Sequence, residues 1–400
     1  LASTFDERAG AAIEVVRAAA ALLEGASDVV VLWGERASHG ERGSQTVDAL
    51  LAVAAALGLS GRAESGLIEI PADANSRGLR EVGVLPRLGP GLTDAPTAGM
   101  GAQEVPHAVN AGKLTTLLLL NSDPLETHPE RAAWEQALER SDHVIAVAEF
   151  LSPGIEDHAT VVFPAESNAE KDGTVTHPDG RVQRVRQAVG HREQVRPVWS
   201  VLADLAARAG AGLDVLTSAM VTSALTLDVP FYTGITIEEI GGSGVRWQDR
   251  GAALALPAAE LPDAPLEAAP ELRQGMRLGV APSLWSGAVT RHAPSLKFLA
   301  PVQRAELSPA DAERIGVGPG DEVEVSSGGH TLRATVALRQ AVAPGNVFLT
   351  AGTERENPTS LMNGIPPMVE VVGTGRTTEA GTPAADAAPP ARPDAVPPPS

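Results

Sequence analysis

Phe163–Val189, FPAESNAEKDGTVTHPDGRVQRVRQAV, is the stretch on which the reading of this chain turns. It leaves an apolar strand, passes through an acidic turn and closes a hairpin. Thr174-Val175-Thr176 is β-branched and follows Gly173, Pro178-Asp179-Gly180 supplies the turn chemistry, and Arg181-Val182-Gln183 opens the returning arm. Val175, Val182 and Val185 are expected to form one apolar surface, with Arg181, Arg184 and Arg186 solvated. A two-stranded hairpin is marginal in water, so this one must rest on a larger sheet.

Upstream, strands and helices alternate. A helix is expected from Asp6 to Glu24, with Ile13, Val16, Ala20 and Leu23 facing a sheet and Thr4 or Asp6 as cap. Asp28–Trp33 reads as a strand buried on both faces. A glycine-containing loop and a helix from Gln45 to Leu57 follow. That order would suit phosphate binding at a helix start, but no Gly-Lys-Ser/Thr ending and no Gly-x-Gly-x-x-Gly is present, and Glu35 and Glu41 would repel an anion. Leu67–Ile70 is the next strand. Pro71–Gly101 reads as a long structureless loop, a surface arm touching another chain. A short helix over Gln103–Ala111, a strand over Thr115–Leu120, a helix from Pro129, a strand over His143–Val147, a turn over Ser152–Asp157 and a strand over Thr160–Phe163 complete the series. Strands joined by crossovers in this way predict an α/β, doubly wound, mostly parallel sheet over residues 1–210.

Beyond it, Pro197–Ala209 is amphipathic, with Val198, Leu202 and Leu205 on one face. Residues 211–272 are rich in Ala, Gly and Pro and read as a linker wrapping the first domain; Trp247 and Trp285 read as packing anchors. Residues 273–375 read as a second domain. In it Ser308 caps a short helix begun by Pro309, a glycine turn launches Gly320-Asp321-Glu322-Val323-Glu324-Val325, and Thr331–Leu338 alternates as a half-buried antiparallel strand. Residues 376–400 are too poor in large apolar groups to offset ordering entropy and are expected to be disordered.

Three segments together, Val161-Val162-Phe163-Pro164, Glu170-Lys171-Asp172-Gly173-Thr174 and Gly180-Arg181-Val182-Gln183, resemble the molybdopterin oxidoreductase superfamily. The Ser308-Pro309 helix and the Gly320–Val325 strand resemble the C-terminal six-stranded, double-psi-type barrel of the same superfamily. The resemblance implies an α/β body followed by that barrel. It also departs in one place, because the superfamily's Ala-Asp before the last strand is Ala159-Thr160 here.

Composition narrows the chemistry. The chain has no cysteine, which excludes disulfides, thiolate zinc sites, cysteine-ligated iron–sulfur clusters and a cysteine nucleophile. A net charge of -19 repels nucleic-acid phosphates and anionic lipid; it serves simple solubility or suits assembly with basic protein faces. No apolar run is long enough for a membrane helix, and the first residues lack a signal-peptide layout. Beginning at Leu1, the chain reads as part of a longer polypeptide. Lysine occurs at 113, 171 and 297 alone. The histidines show no metal-ligand spacing; Glu126, His128 and Glu130 read as solvated turn residues. No catalytic residue and no metal site is expected.

The superfamily resemblance implies one candidate loop. Where members bind a pterin dinucleotide, a loop like Asn121-Ser122-Asp123-Pro124 borders its phosphates, and Asn121, Asp123, Pro124, Glu170 and Gly173 would line the cofactor. The other reading of Asn121–Pro124 is an Asx turn leaving the strand, and that of Glu170 is a carboxylate accepting backbone N–H bonds. Asn75-Ser76-Arg77-Gly78, Gly83-Val84-Leu85-Pro86, the acidic lysine-poor surface and the Pro-rich tail resemble the C-terminal region of the large iron–sulfur subunit family of NADH:quinone oxidoreductases (respiratory complex I). That resemblance implies a scaffold in the peripheral arm, on the cytoplasmic side of a membrane, with other protein subunits as partners. It implies no cofactor in this chain and iron–sulfur clusters in a preceding segment. The alternative is the molybdopterin-dinucleotide-binding half of a working molybdenum or tungsten enzyme.

Overall fold

The computed structural model describes residues 13–39, 43–62, 64–258, 275–363 and 367–377. The expected cap at Thr4 or Asp6, the start of the second domain at Arg273 and the tail from 378 lie outside them. Two units are present: one takes the chain up to Leu125 and again from Ala132 through the described residues to 258, the other takes Glu126–Arg131 and the described residues from 275.

The first unit is α/β. Strands β1 (Val30–Gly34) and β2 (Gly66–Ile70) pair in parallel, and β3 (Thr116–Leu120), β4 (His143–Ala148) and β5 (Val161–Pro164) form a second parallel sheet in that order. The parallel sheet is therefore hydrogen-bonded as a pair and a triplet, not as one ladder. Leu117 and Val144 sink into a cluster with Trp134, Ala137 and Leu138 of the helix Arg131–Arg140, while Val147 meets Val201 of the helix Val198–Arg208. This is the two-sided cover that parallel strands require.

Three expectations change here. The strand read as buried on both faces alternates instead, with Val30 and Leu32 exposed, Leu32 at 64%. The first described helix, Ile13–Glu24, buries no residue fully: Ile13, Val16 and Leu23 of its stripe are half-buried and Ala20 is exposed. The Pro71–Gly101 stretch is not structureless: Ser76–Glu81 is a helix, Pro90–Leu92 a tight turn, and Leu88 bridges Asp94.

The hairpin forms as β6 (Gly173–Thr176) and β7 (Arg181–Val185), with Thr176 opposite Val182 and Val175 opposite Gln183. Val182 is buried and packs with Phe231, Tyr232, Ile240 and Trp247. Val185, three residues on, points to the other face because strand side chains alternate, so a single valine surface does not form. Gly180 sits at φ 83°, where a Cβ would lie 2.0 Å from the Gln248 amide; only glycine closes this turn. The support that the hairpin needs comes from β8 (Val245–Arg246), which pairs with β7. Residues 211–258, read as linker, thus carry a helix (Ser218–Asp228), a strand and the apolar cluster under the hairpin.

The second unit is a closed barrel in the order β10-β12-β11-β14-β9-β13. Its strands are β9 (Met276–Pro282), β10 (Arg304–Leu307), β11 (Asp321–Ser327), β12 (His330–Leu338), β13 (Asn346–Ala351) and β14 (Met368–Thr377). Inward residues recur at every second position, Val323 and Val325, Leu332, Ala334 and Val336, Val347 and Leu349, and all are buried. Each large one contributes about 1.5–3 kcal/mol of apolar burial. Ser308 Oγ accepts from Asp311 N at 3.1 Å, and Gly316 closes the same helix in the left-handed region. Arg376 and Thr377, placed in the tail by sequence, extend β14, where the Thr377 hydroxyl donates to Asp321. Trp285, read as an anchor, is 38% exposed.

Candidate functional site

The strand β3 ends in Asn121, whose backbone turns into the left-handed region at φ 47°, a conformation asparagine tolerates, while its N–H donates to Val147 O at 2.8 Å. Asn121 is exposed and Asp123, two residues on, is buried. Asp123 Oδ1 accepts from Leu125 N at 2.9 Å, and Oδ2 accepts from Gly154 N at 3.0 Å and from the Ser152 hydroxyl. One carboxylate therefore holds the starts of two helical turns, those at Pro124 and Pro153, each begun by a proline that has no N–H to satisfy. Gly154 is part of this closure, because a Cβ there would lie 2.4 Å from Asp123 Oδ1. Gly154→Ala is expected to cost about 1–3 kcal/mol, read as a lower urea midpoint with unchanged slope; an unaltered midpoint would show that the carboxylate moves aside freely.

Glu170 is also buried and also satisfied. Its Oε2 accepts from Ser167 N at 2.9 Å and from Ser167 Oγ at 2.8 Å. The Ser167 backbone N–H, then its hydroxyl, hold the carboxyl below the usual glutamate range against the opposing effect of burial, with a smaller pull from His191 and Arg192. A depressed folded-state value means a stabilising contribution that is complete above the unfolded value and is lost as pH falls through the folded one. Wild type should therefore exceed Glu170→Gln in stability at neutral pH, with the difference closing below about pH 4; acid titration of the two unfolding curves checks it. Gly173 has no atom within 4 Å of where a Cβ would stand, so close packing does not demand glycine there.

Glu166, which no sequence motif marks, is buried beside them. It accepts from Val198 N at 3.2 Å and pairs with His191 Nε2 at 2.8 Å. Asn121 and Asp123 thus lie in the turn after β3, Pro124 opens the helix that follows it, Glu170 lies between β5 and β6 and Gly173 begins β6, and the two carboxylates among them accept from nearby backbone N–H groups. A phosphate requires donors, and here the buried side chains are acceptors already in use.

In the second unit the turn at Glu126–Glu130 is not solvated as expected. Glu126 takes both its oxygens to Arg291 Nη2, at 3.0 and 3.3 Å, and burial lowers the His128 pKa. Arg291 borders a cavity of about 390 Å³ whose wall includes Lys297, Gln303, Glu322, Arg333 and Arg355. Gln303 is buried there: its amide donates to Thr350 O at 2.9 Å and Glu356 O at 2.8 Å, and its carbonyl accepts from Thr350 N at 2.8 Å and Arg304 N at 3.0 Å. These bonds hold Glu356 in the left-handed region at φ 57°, a conformation that is costly for glutamate. Glu322 Oε1 is buried without a hydrogen-bond partner.

At this cavity four cations, Arg291, Lys297, Arg333 and Arg355, meet an unsatisfied acceptor, with Glu354 and Glu356 also in the wall, so it offers an anion donors that the buried carboxylates of the strand-end loops do not.

Comparison with known proteins agrees with this architecture. Residues 282–384 match the family described as Molydopterin dinucleotide binding domain, so the barrel unit carries that module, which conflicts with the expectation of no cofactor in this chain. The α subunit of the NADPH-Fe(3+) oxidoreductase of Geobacter sulfurreducens is 30% identical over 363 residues, covering 87% of this chain and 42% of that protein. A G-type subunit of the NADH-quinone oxidoreductase of Rhizobium meliloti is 29% identical over 311 residues, covering 72% of this chain and 35% of that protein. The chain spans less than half the length of either relative. The solved acetylene hydratase of Pelobacter acetylenicus shares the fold at a TM-score of 0.50 and 15% identity, over 75% of this chain and 50% of that one. Residues 8–208, half of the chain, match the family described as Molybdopterin oxidoreductase, and together with the barrel module this places the protein in the molybdopterin oxidoreductase family.

Proposed function

We propose that this chain is the body of one subunit in a multi-subunit oxidoreductase, of the kind represented by the G-type subunit of NADH-quinone oxidoreductase, and that it positions neighbouring subunits without conducting electrons itself. The observation that carries this reading is the closure of Asp123 and Glu170 on their own backbone, which leaves no grip for phosphates at the strand ends. The absence of cysteine in the sequence supports it, since the chain has no thiolate to hold an iron–sulfur cluster or a molybdenum ion. On this reading the clusters belong to protein outside this sequence. The partners are other subunits of a peripheral arm, attached to the cytoplasmic side of a membrane, in an assembly passing electrons from NADH to quinone.

A second reading is favoured by the cavity in the barrel unit. Arg333, Arg355 and Lys297 would meet phosphate and Glu322 a ring N–H, making the chain the dinucleotide-holding half of a catalytic member. The bound group would supply the metal centre for two-electron chemistry. Calorimetric titration with GDP and ADP separates the two. The scaffold reading expects binding no tighter than about 1 mM. Micromolar affinity lost in Arg355→Ala would favour the second.

A further inference from the structure

The helix Ser218–Asp228 in the first unit packs with its amphipathic pattern inverted. Its start is fixed by the Thr217 cap, which accepts from Met220 N, and by the Ser218 hydroxyl, which donates to Asp172. The face it buries holds Thr222, 5% exposed, and Thr226, 9% exposed. Both hydroxyls are satisfied by the helix itself, donating to Ser218 O at 3.1 Å and to Ser223 O at 2.9 Å. The opposite face is apolar. Met220, Ala224 and Leu227 stand at i, i+4 and i+7, one stripe along an α-helix, and all three are exposed, Leu227 at 80%. A helix on a core buries such a stripe and shows its hydroxyls to water, so the inversion marks a face with a further contact to make.

The charge around this stripe has one sign. From Ala209 to Val245 the sequence has no Lys, Arg or His, while it has Asp214, Asp228, Glu238 and Glu239. Asp228 is exposed one helical turn after Ala224, at the edge of the stripe, and Glu238 is exposed on the short helix Ile237–Ile240, which packs against this one. The partial negative charge of a helix C-terminus falls at the same end, beside Leu227. Arg184, which approaches the other end through Asp172, is paired with that carboxylate at 3.7 Å.

We infer that the stripe of Met220, Ala224 and Leu227, with Asp228 at its rim, is the docking site for an apolar helix of another protein subunit that is flanked by Lys or Arg. The inference rests on the reading of the chain as a subunit of an assembly. Charge decides the class of occupant. Anionic lipid and nucleic acid meet repulsion at this rim, and a second copy of the chain would bring the same carboxylate to a two-fold contact. A basic-flanked apolar helix matches both the stripe and its rim, and it matches the net charge of -19 as well.

The test uses the full chain, tagged and isolated with its native assembly, with Leu227 replaced by the photoreactive benzoylphenylalanine. Irradiation should link that position to a segment of a different chain that has Lys or Arg within a helical turn of its apolar side chains. Leu227→Lys should weaken retention of that chain on the order of 30-fold and Asp228→Lys on the order of tenfold. The isolated variants should keep the wild-type melting temperature, since both side chains are exposed and a cation suits a helix C-terminus. Met220→Lys, two turns back on the same stripe, gives the same loss if Leu227→Lys does not fold. Links confined to this chain, links between two copies of it, links to lipid, or links to a segment without a cation would each overturn the inference. If no other chain accompanies the tagged protein at all, the assembly reading falls with it. If another chain accompanies it but is not linked, or is held as tightly by the Lys variants, only this docking site is wrong.

Discussion

Glu81→Ala is expected to destabilise the first unit by about 3–5 kcal/mol, the cost of leaving the half-buried Arg77 guanidinium and two buried donors, Tyr232 and Trp247, unmatched. Glu81 is 4% exposed and serves three donors: Arg77 Nε at 2.7 Å, Trp247 Nε1 at 3.2 Å and the Tyr232 hydroxyl. Burial, then the Glu81 charge, holds the Tyr232 phenol far above its ordinary pKa, so it remains a donor. The Tyr232 hydroxyl also lies 3.0 Å from Thr176 Oγ1, and Asn75 Oδ1 accepts from Thr176 N at 2.8 Å. One carboxylate therefore fastens the helix Ser76–Glu81, the hairpin and the segment 229–249 to each other. Denaturant unfolding followed by tryptophan emission should show the loss; a change below about 1 kcal/mol would mean that the three donors find other acceptors.

The second large effect is expected at Gln303. Gln303→Ala removes an amide that satisfies Thr350 on both its N–H and its C=O and also holds the Glu356 carbonyl. Two or three buried backbone groups left unpaired, plus release of the left-handed Glu356, total about 2–5 kcal/mol. The loss falls on the barrel unit. Calorimetry on the full chain should therefore show the transition of that unit moving down while the other stays in place; a shift of both together would contradict the assignment of Gln303 to the barrel alone.

These two hubs also show what the sequence could and could not reveal. The barrel was legible because each inward residue of β11 and β12 obeys a period of two and because Ser308-Pro309 marks a helix start. The hairpin was legible because Pro178-Asp179-Gly180 is local turn chemistry. Glu81 was not, since Tyr232 and Trp247 lie 151 and 166 residues away and a hydrogen bond over that span leaves no periodic trace. The Ala- and Gly-rich composition of residues 211–258 hides Phe231, Tyr232 and Trp247, a few large side chains that do the packing. The outward turn of Val30 and Leu32 is invisible in the sequence because a short apolar run carries no sign of which face is covered.

At the candidate site the local turns were legible and the contacts between distant segments were not. The Asx turn at Asp123 and the acceptor role of Glu170 toward backbone N–H groups were among the sequence readings, yet only the folded chain shows Asp123 reaching across to Gly154 N and Ser152. The cavity at Arg291, Arg333 and Arg355 leaves no local motif because its wall is assembled from strands, a turn and a loop far apart in the chain.

The central claim is that a pterin-holding architecture has here become a scaffold, and the content of the purified protein tests it most directly. The chain, isolated from cells that make the molybdenum cofactor, is analysed for molybdenum and tungsten by mass spectrometry and for released pterin by fluorescence after oxidation. The scaffold account predicts both well below one equivalent per chain. One equivalent of metal accompanied by pterin would contradict it.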